Sequence, residues 1–389
     1  MDERLRGHLD GAPAGRRFAR ARAVLFWCHL AVGVAVALVV VVMGSTGAMM
    51  SFEHSIVDRF ESRWRVDPPD DATAALPPSR LRAAVEVERA TPVAALTTYA
   101  DRRAPALVVT KDKRAWLVDP YRGELLAESR VRGVFSTIED VHRNIALARV
   151  GKVAVGKTVT GYTAVGVALA ALTGPLLWWP RKRGAGRFRA IVFFTRTSSP
   201  AARDFNWHNV LGIWAAPLLL LIALTGTSIS FDGVKGFVTS TFGAAKAIPE
   251  PPPEPAAFDL DRAWAEAGRR VPEHSAINGR WPARDGKFTL RIRTRDGTRP
   301  DQWSQLVHDE RTGAVTAFTR YETSAAGTKI LGWARWTHTG QAFGVLGQGL
   351  AAFAALSAVA LACTGLALSW RRARRAWRKR ARPQAPTRA

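Results

Sequence analysis

The stretch AVLFWCHLAVGVAVALVVVVMGSTGAMMSF, residues 23–52, decides the fold of this chain. It carries no charged residue, and it is longer than the ~20 apolar residues that a helix needs to cross the hydrocarbon core of a bilayer. His29 lies within it. Because an ionisable side chain inside a membrane helix is costly unless it has a partner, His29 is a candidate functional residue.

A second stretch, NWHNVLGIWAAPLLLLIALTGTSISF at residues 206–231, repeats the landmarks of the first. In both stretches a glycine follows the histidine by 4 residues, a Thr-Gly pair by 17 and a phenylalanine by 23. Two further charge-free segments, at 158–179 and about 337–370, bring the number of possible membrane crossings to four. The matched spacing predicts a membrane α-helical protein with four transmembrane helices in two tandem repeats.

Positive charge is concentrated beside the apolar segments. Residues 1–23, 180–206 and 371–389 carry 22 of the 56 Lys and Arg but 4 of the 32 Asp and Glu, a net +18 of the chain's +24. Since Lys and Arg accumulate in cytoplasmic loops, both termini are predicted to be cytoplasmic, in an inner (cytoplasmic) membrane. These arginines flank membrane helices, where they meet anionic membrane lipid, so the basic composition does not indicate nucleic-acid binding.

The two long loops each predict an exported α+β module. The first has helical patterns at 79–102, with a second short helical stretch at 93–99, then strands at 106–110 and 114–118 and a turn at 119–123. The second has a helix at 260–270, strands at 288–293 and 303–307 and a turn at 309–313. Each turn runs from an aspartate to a glycine four residues later.

These patterns divide the chain into ten segments. They are a basic cytoplasmic tail at 1–22, a first transmembrane helix at 23–52, a first module at 53–133, an interfacial helix with His142 at 134–156, a second transmembrane helix at 157–179, a basic cytoplasmic loop at 180–206, a third transmembrane helix at 207–231, a second module at 232–330, a segment with His338 and the fourth transmembrane helix at 331–370, and a basic cytoplasmic tail at 371–389.

Together these features resemble the PepSY-associated transmembrane proteins, over about residues 20–372. The residues that carry the resemblance are Trp27 and His29, Asp119 and Gly123, His142 and Arg143, Trp207 and His208, Asp309 and Gly313, His338 and four Thr-Gly pairs. The family includes inner-membrane reductases of ferric siderophores that hold b-type haem, and members without an assigned role. The resemblance therefore implies a haem-containing ferric-siderophore reductase with an exported PepSY-like module in each half.

Four histidines are predicted to lie at two depths. His29 and His208 begin helices that run outward, so they share a level near the cytoplasmic face, whereas His142 and His338 precede helices that run inward and share an outer level. A porphyrin leaves one axial position on each side, so two levels of two imidazoles match bis-His ligation of two haem b groups. Iron, zinc or copper bound by histidine alone stays an alternative.

The glycines of the Thr-Gly pairs fall near the same two levels, because 17 helical residues rise about 25 Å. Gly47 and Gly226 approach the outer level, and Gly174 and Gly365 approach the inner one. We interpret their missing side chains as space for a porphyrin. The alternative is that they permit close packing of helices.

Cysteine content and motifs restrict the chemistry. Two cysteines, Cys28 and Cys363, both in membrane segments, exclude a disulfide framework in the exported loops and covalent haem attachment. The sequence contains no nucleotide-binding or hydrolase motif. A reductase of this kind would need an external electron donor, either a quinol or a cytoplasmic reductase.

Two classes of function therefore remain open from the sequence. The first is a transmembrane electron conduit that reduces a periplasmic ferric chelate such as a ferric siderophore. The second is a non-catalytic PepSY membrane protein that binds or regulates another exported protein. A transporter component is disfavoured, because the predicted apolar helices contain no acidic residue.

Overall fold

Long apolar helices and short strands alternate along the chain in the computed structural model, which describes residues 13–147, 154–179, 185–244, 257–282, 285–294 and 302–380. The helices are α1 (Pro13–Met50), α2 (Glu53–Glu61), α3 (Pro78–Arg89), α4 (Arg130–Asn144), α5 (Val155–Trp178), α6 (Ala185–Val192), α7 (Pro200–Ser230), α8 (Asp232–Phe242), α9 (Leu260–Arg270), α10 (Ala326–His338) and α11 (Gly344–Arg380). The strands are β1 (Val93–Tyr99), β2 (Ala106–Thr110), β3 (Ala115–Val118), β4 (Leu125–Glu128), β5 (His274–Arg280), β6 (Lys287–Thr294), β7 (Trp303–Asp309) and β8 (Val315–Thr319).

The chain folds as two units. The first, the helical unit, consists of Met1–Ala48, Val141–Ser230 and Gly349–Ala389. The second, the sheet unit, consists of Met49–Asp140 and Phe231–Gln348.

Four helices of the described chain, α1, α5, α7 and α11, are long and apolar enough to cross a membrane. Even α5, with 24 residues, spans about 36 Å at 1.5 Å per residue. That length exceeds the ~30 Å hydrocarbon core of a bilayer. The four predicted crossings thus correspond to four helices of suitable length and composition.

Small residues bring the helices of the helical unit into contact. A Cβ added at Gly44 of α1 would lie 2.7 Å from the Val359 side chain of α11, and one at Gly166 of α5 would lie 2.8 Å from Val36 of α1. A cluster of Ala215, Leu219 and Ala354 joins α7 to α11. Membrane helices without a hydrophobic driving force between them associate through such close packing.

The sheet unit contains one antiparallel sheet of eight strands in the order β4-β3-β2-β1-β5-β6-β7-β8. Each half of the chain contributes four consecutive strands, and β1 pairs with β5 where the two sets meet, with Thr97 opposite Asn278. The two predicted α+β modules are therefore not separate domains, because their strands form a single sheet.

Helices α3 and α9 cover one face of this sheet. Leu81 and Val85 of α3 and Trp264 of α9 are buried against strand residues including Leu96 and Phe288. The Trp264 indole donates to the Thr98 hydroxyl of β1 at 2.8 Å, and its ring fills the space over Gly279, where a Cβ would lie 2.7 Å away. The two halves of the chain thus share one core.

The two predicted Asp-to-Gly turns have the same structure. The Asp119 carboxylate accepts hydrogen bonds from the backbone N–H groups of Tyr121 and Arg122, and Asp309 does the same for the two residues that follow Glu310. Gly123 and Gly313 close the turns with φ of +74° and +69°. Glycine suits both positions because it has no Cβ to clash at positive φ.

One predicted element has the wrong type. Residues 93–99, predicted as a short helix, form strand β1, which pairs with β2 on one side and β5 on the other. The apolar spacing of this segment is ambiguous, but Thr97, Thr98 and Tyr99 favour strands. Pairing with distant strands decided the outcome, and a local pattern does not contain that information.

Two predicted boundaries also differ from the structure. The helix predicted at 134–156 is α4, which begins at Arg130 and ends at Asn144, because Ile145 and Ala146 adopt φ of +44° and +55°; residues 148–153 lie outside the described chain. The predicted run at 337–370 is interrupted. Helix α10 ends at His338, Gly340 has φ of +76°, and α11 begins at Gly344.

The shared core predicts a difference between two valines on α3. Val85 is fully buried, whereas Val87 is 83% exposed. We expect Val85→Ala to lower the free energy of unfolding of the sheet unit by about 2 kcal/mol through lost apolar contacts and a cavity. Val87→Ala, the same substitution on the same helix, should leave it nearly unchanged. Denaturant unfolding in detergent, followed by tryptophan fluorescence, measures both, and equal midpoints would contradict the described packing.

Candidate functional site

Two of the predicted ligands lie opposite each other in the helical unit. His29 of α1 and His208 of α7 have ring centroids 6.5 Å apart, and their ring planes are perpendicular. Two metal–imidazole bonds of about 2 Å each, extended to the ring centres, would separate two centroids by roughly 6 Å. The spacing of the two rings is therefore compatible with one metal centre between them.

A threonine from a neighbouring helix holds each of these rings. Nδ1 of His29 lies 2.8 Å from the Thr173 hydroxyl of α5, and Nδ1 of His208 lies 3.0 Å from the Thr364 hydroxyl of α11. The Thr173 and Thr364 hydroxyls donate their own hydrogens to carbonyl oxygens of their helices at 2.7 Å. Each hydroxyl oxygen must then accept from Nδ1–H, which assigns the tautomer with a lone pair on Nε2. Such a hydrogen bond also orients imidazole ligands in metal sites.

The glycine after each threonine lies next to the imidazole. A Cβ on Gly174 would lie 3.6 Å from Cε1 of His29, and a Cβ on Gly365 would lie 3.4 Å from Cε1 of His208. The missing side chains thus adjoin the histidine rings. Their predicted role in accommodating a porphyrin stays a prediction.

His142 is held in the same way at another place on α1. Its Nδ1 lies 3.0 Å from the Thr46 hydroxyl, which donates to the Val42 carbonyl oxygen at 2.7 Å, and a Cβ on Gly47 would lie 3.2 Å from its Cε1. Since Thr46 follows His29 by 17 residues, the two imidazole sites lie about 25 Å apart along α1.

The remaining predicted ligand belongs to the sheet unit. His338 is the last residue of α10 and is partly buried. Gly226 is buried in α7, beside Thr225, whose hydroxyl donates to the carbonyl oxygens of Leu221 and Ile222. The pairing of His142 with His338 stays a prediction from the sequence.

The residue types near His29 and His208 restrict what they bind. In the described part of the chain, no group of three or more His, Cys, Asp or Glu side chains is arranged to hold a metal ion. A metal held by two imidazoles alone needs further ligands, and a porphyrin supplies four in one plane. The donor set therefore fits a bis-His haem better than a protein-only zinc or copper site.

Two glycines add a feature to which the sequence pattern assigned no role. Gly33 and Gly212 follow His29 and His208 by one helical turn, on the same side of each helix. Nothing lies within 4 Å of a Cβ added at Gly33, and at Gly212 a Leu361 methyl group lies 3.7 Å away. The repeated four-residue step from His to Gly is the sequence signal from which these two positions could have been singled out.

Charged groups surround the helix ends near this pair. Arg371 of α11 forms an ion pair of 2.7 Å with Asp204, which lies in α7 before His208. Arg22 of α1 donates to the carbonyl oxygens of Leu177 and Trp179 at the end of α5. A cation at the carboxyl end of a helix compensates its unpaired carbonyls. These contacts connect the helices at the end where both rings lie.

Comparison with known proteins identifies a related family. The model of the PepSY-associated TM region matches residues 26–372. None of the curated proteins matches the chain at a significant level.

The threonine contacts predict the tautomer of the imidazoles. In haem-free protein with 15N-labelled histidine, we expect His29, His208 and His142 to carry the proton on Nδ1, because each Nδ1 faces an accepting hydroxyl. Thr173→Val should change the His29 signals and leave those of His208 unaltered. Thr227→Val, which removes a hydroxyl bonded to its own helix, is the matched control. Nitrogen NMR of the protein in detergent distinguishes the two tautomers, and a proton on Nε2 of these histidines would contradict the described hydrogen bonds.

Proposed function

We propose that this chain, which belongs to the PepSY-associated TM region family, is a haem-containing membrane reductase that passes electrons to a ferric chelate. The observation that carries the proposal is the opposed pair of His29 and His208, each with Nδ1 bonded to a threonine and Nε2 left as a donor to a metal. Haem b, bound between the rings, would supply a reversible one-electron carrier.

The proposed role of the protein residues is to bind and orient. Thr173 and Thr364 keep both imidazoles in the tautomer that ligates, Gly174 and Gly365 let the rings approach their helices, and the open space beside Gly33 accommodates part of a flat ring system. The apolar helices exclude water from the site, which favours neutral imidazoles over charged ones.

A second haem is proposed at the outer level, with His142 and His338 as ligands. The support for His142 is its bond to Thr46, which reproduces the arrangement at His29 and His208. The support for His338 is its position in the sequence. The same repetition supports two tandem repeats, as do the two Asp-to-Gly turns and the four strands that each half contributes to the sheet.

The charge distribution supports an orientation in which both termini lie in the cytoplasm of a bacterial-type cell, so that the sheet unit is exported. Electrons would then enter at the level of His29 and His208 and leave at the outer side. Each ferric ion takes up one electron and becomes ferrous. The electron comes from a quinol or a reduced cytoplasmic protein, which is oxidised in turn.

The proposed function predicts the side of the membrane from which a ferric chelate reoxidises the haem. Membrane vesicles of known orientation, reduced with dithionite and freed of excess reductant, should show haem reoxidation when a ferric siderophore reaches the exported side. A membrane-impermeant ferrous chelator on that side should trap the product. His29→Ala should remove the part of the reoxidation signal that comes from the haem at His29 and His208, because one ligand is lost, whereas His274→Ala, a change in strand β5, should leave the whole signal unaltered.

Two outcomes would contradict the proposal. One is reoxidation only when the ferric chelate reaches the cytoplasmic face. The other is a preparation from haem-replete cells that contains no haem, which would favour a PepSY membrane protein that binds another exported protein.

A further inference from the structure

The second face of the eight-stranded sheet changes character between the two halves of the chain. On the β2 and β3 strands this face is apolar, with Leu107 and Leu117 packed near Trp64. On β5 and β6 the same face carries Arg280, Arg291 and Arg293. Strand β2, which is the counterpart of β6 in the first half of the chain, carries leucine on this face. The sheet itself therefore does not require the arginines of β6.

The strand register groups the arginines among other polar residues. Arg291 lies between Asn278 of β5 and Gln305 of β7, and Arg293 lies two residues further along the same strand. Two residues on one face of a strand are ~7 Å apart. Arg335 of α10 lies near enough to lower the pKa of Arg291 by repulsion. Arg280, Arg291, Arg293 and Arg335 are called the arginine face below.

The charges of the arginine face are not neutralised by ion pairs within the described residues. Burial, followed by repulsion from Arg280 and Arg335, lowers the pKa of Arg291 to about 10. Within the described residues, none of the four arginines forms an ion pair, and the Nε atom of Arg293 is buried without a hydrogen-bond partner. The nearby Glu61 is already engaged by Arg132, with two bonds of 2.7 Å.

An acidic residue and several aromatic rings lie near the arginine face. Glu53 is the acid within electrostatic range of Arg335, and burial together with Glu139 raises the pKa of Glu53. Arg291 lies over the Trp303 ring at 4.7 Å, and His54 stacks on Trp336 with centroids 6.3 Å apart. Stacking covers the flat surface of the Arg291 guanidinium and leaves its N–H edge for a planar anion.

We propose that the arginine face binds a small anion with two or more carboxylate groups. Arg291 and Arg293 are partly buried, Arg280 and Arg335 are exposed, and carboxylates satisfy guanidinium groups with bidentate hydrogen bonds. The four arginines extend over three strand positions and a helix, so a polycarboxylate can contact more of them at once than a single phosphate group can. Gln305 adds a neutral hydrogen-bonding group for hydroxyl and carboxyl oxygens, whereas the Asn278 amide already donates to Thr97. If the proposed reductase function holds, on which this last step rests, the ferric chelate is an anionic carboxylate chelate.

Titration of citrate onto the full-length protein in non-ionic detergent tests the site without requiring haem or electron transfer. Citrate should bind, and Arg291→Gln should weaken it about tenfold or more, the effect of losing one charge-assisted pair. Arg335→Gln, on an exposed position of α10, should also weaken citrate binding. Arg122→Gln removes the same charge from an exposed turn and should not alter binding.

A second readout separates ligand binding from a structural role. Without citrate, Arg291→Gln should not lower the unfolding midpoint, because the substitution relieves repulsion from Arg280 and Arg335. Added citrate should raise the midpoint of the unaltered protein and not that of the variant. A lower midpoint for Arg291→Gln in the absence of citrate would indicate a structural arginine and overturn the proposal.

Three further outcomes would also overturn it. They are no citrate binding, citrate binding that survives Arg291→Gln and Arg335→Gln, and equal affinity for citrate and glycerol 3-phosphate, which would indicate a phosphate headgroup. Citrate binding with no haem reoxidation by ferric chelates would contradict the reductase function and leave the anion site standing. Haem reoxidation without citrate binding would support the reductase function and contradict the anion site.

Discussion

The hydrogen bond from an imidazole Nδ1 to a threonine hydroxyl is the interaction on which the helical unit depends. Among apolar helices, a histidine without a partner for its N–H would be strongly destabilising. A threonine meets the need because its hydroxyl can donate to its own helix and accept from the ring. The partner must come from another helix, so each bond also determines which helices are neighbours.

Glycine follows the threonine at each of these bonds. A Cβ at Gly47 would make a tight contact of 3.2 Å with the ring of His142, whereas a Cβ at Gly174 or Gly365 would lie at ordinary contact distances of 3.6 and 3.4 Å from the rings of His29 and His208. Three Thr-Gly pairs thus adjoin a histidine of another helix. In the proposed chemistry, Nδ1 of His29 and of His208 bonds to a threonine and Nε2 binds the metal, so the same two residues serve helix packing and ligation.

In the sheet unit the two halves of the chain are joined by strand pairing instead of by histidine–threonine bonds. Their strands lie edge to edge and share one core. Once Trp264 and α3 cover one face, the opposite face is free to differ between the halves. The first half uses leucine there, and the second uses arginine. Such a difference between matched strands is more informative about function than a difference in the core, where packing restricts the choice.

Much of this arrangement could be predicted from the sequence. The charge-free runs identified the four long helices, and the step of 17 residues from His29 to Thr46 placed the threonines at the correct depth for another helix's histidine. The Asp-to-Gly spacing also identified both turns. Local polar and apolar patterns were sufficient for these features, because each depends on residues close together in the chain.

Other features were beyond the reach of local patterns. Strand β1 was predicted as a helix, because the local spacing of apolar residues does not show which distant strand a segment pairs with. Its partner is β5, where Asn278 bonds to Thr97 from 181 residues away. The threonine partners of the histidines were likewise not identified from the sequence, although their depth was. The arginine face was not recognised as a group, since its four residues come from two strands and a helix that only the folded chain brings together.

If His29 and His208 hold one haem, electron paramagnetic resonance of the oxidised protein should show low-spin ferric haem with two imidazole ligands whose planes are close to perpendicular, as the two rings are in the structure. His29→Ala and His208→Ala should each remove the same low-spin component, and His274→Ala should remove none. A purely high-spin ferric signal in the unaltered protein, or a low-spin spectrum that neither ligand substitution changes, would show that these two histidines do not share a haem.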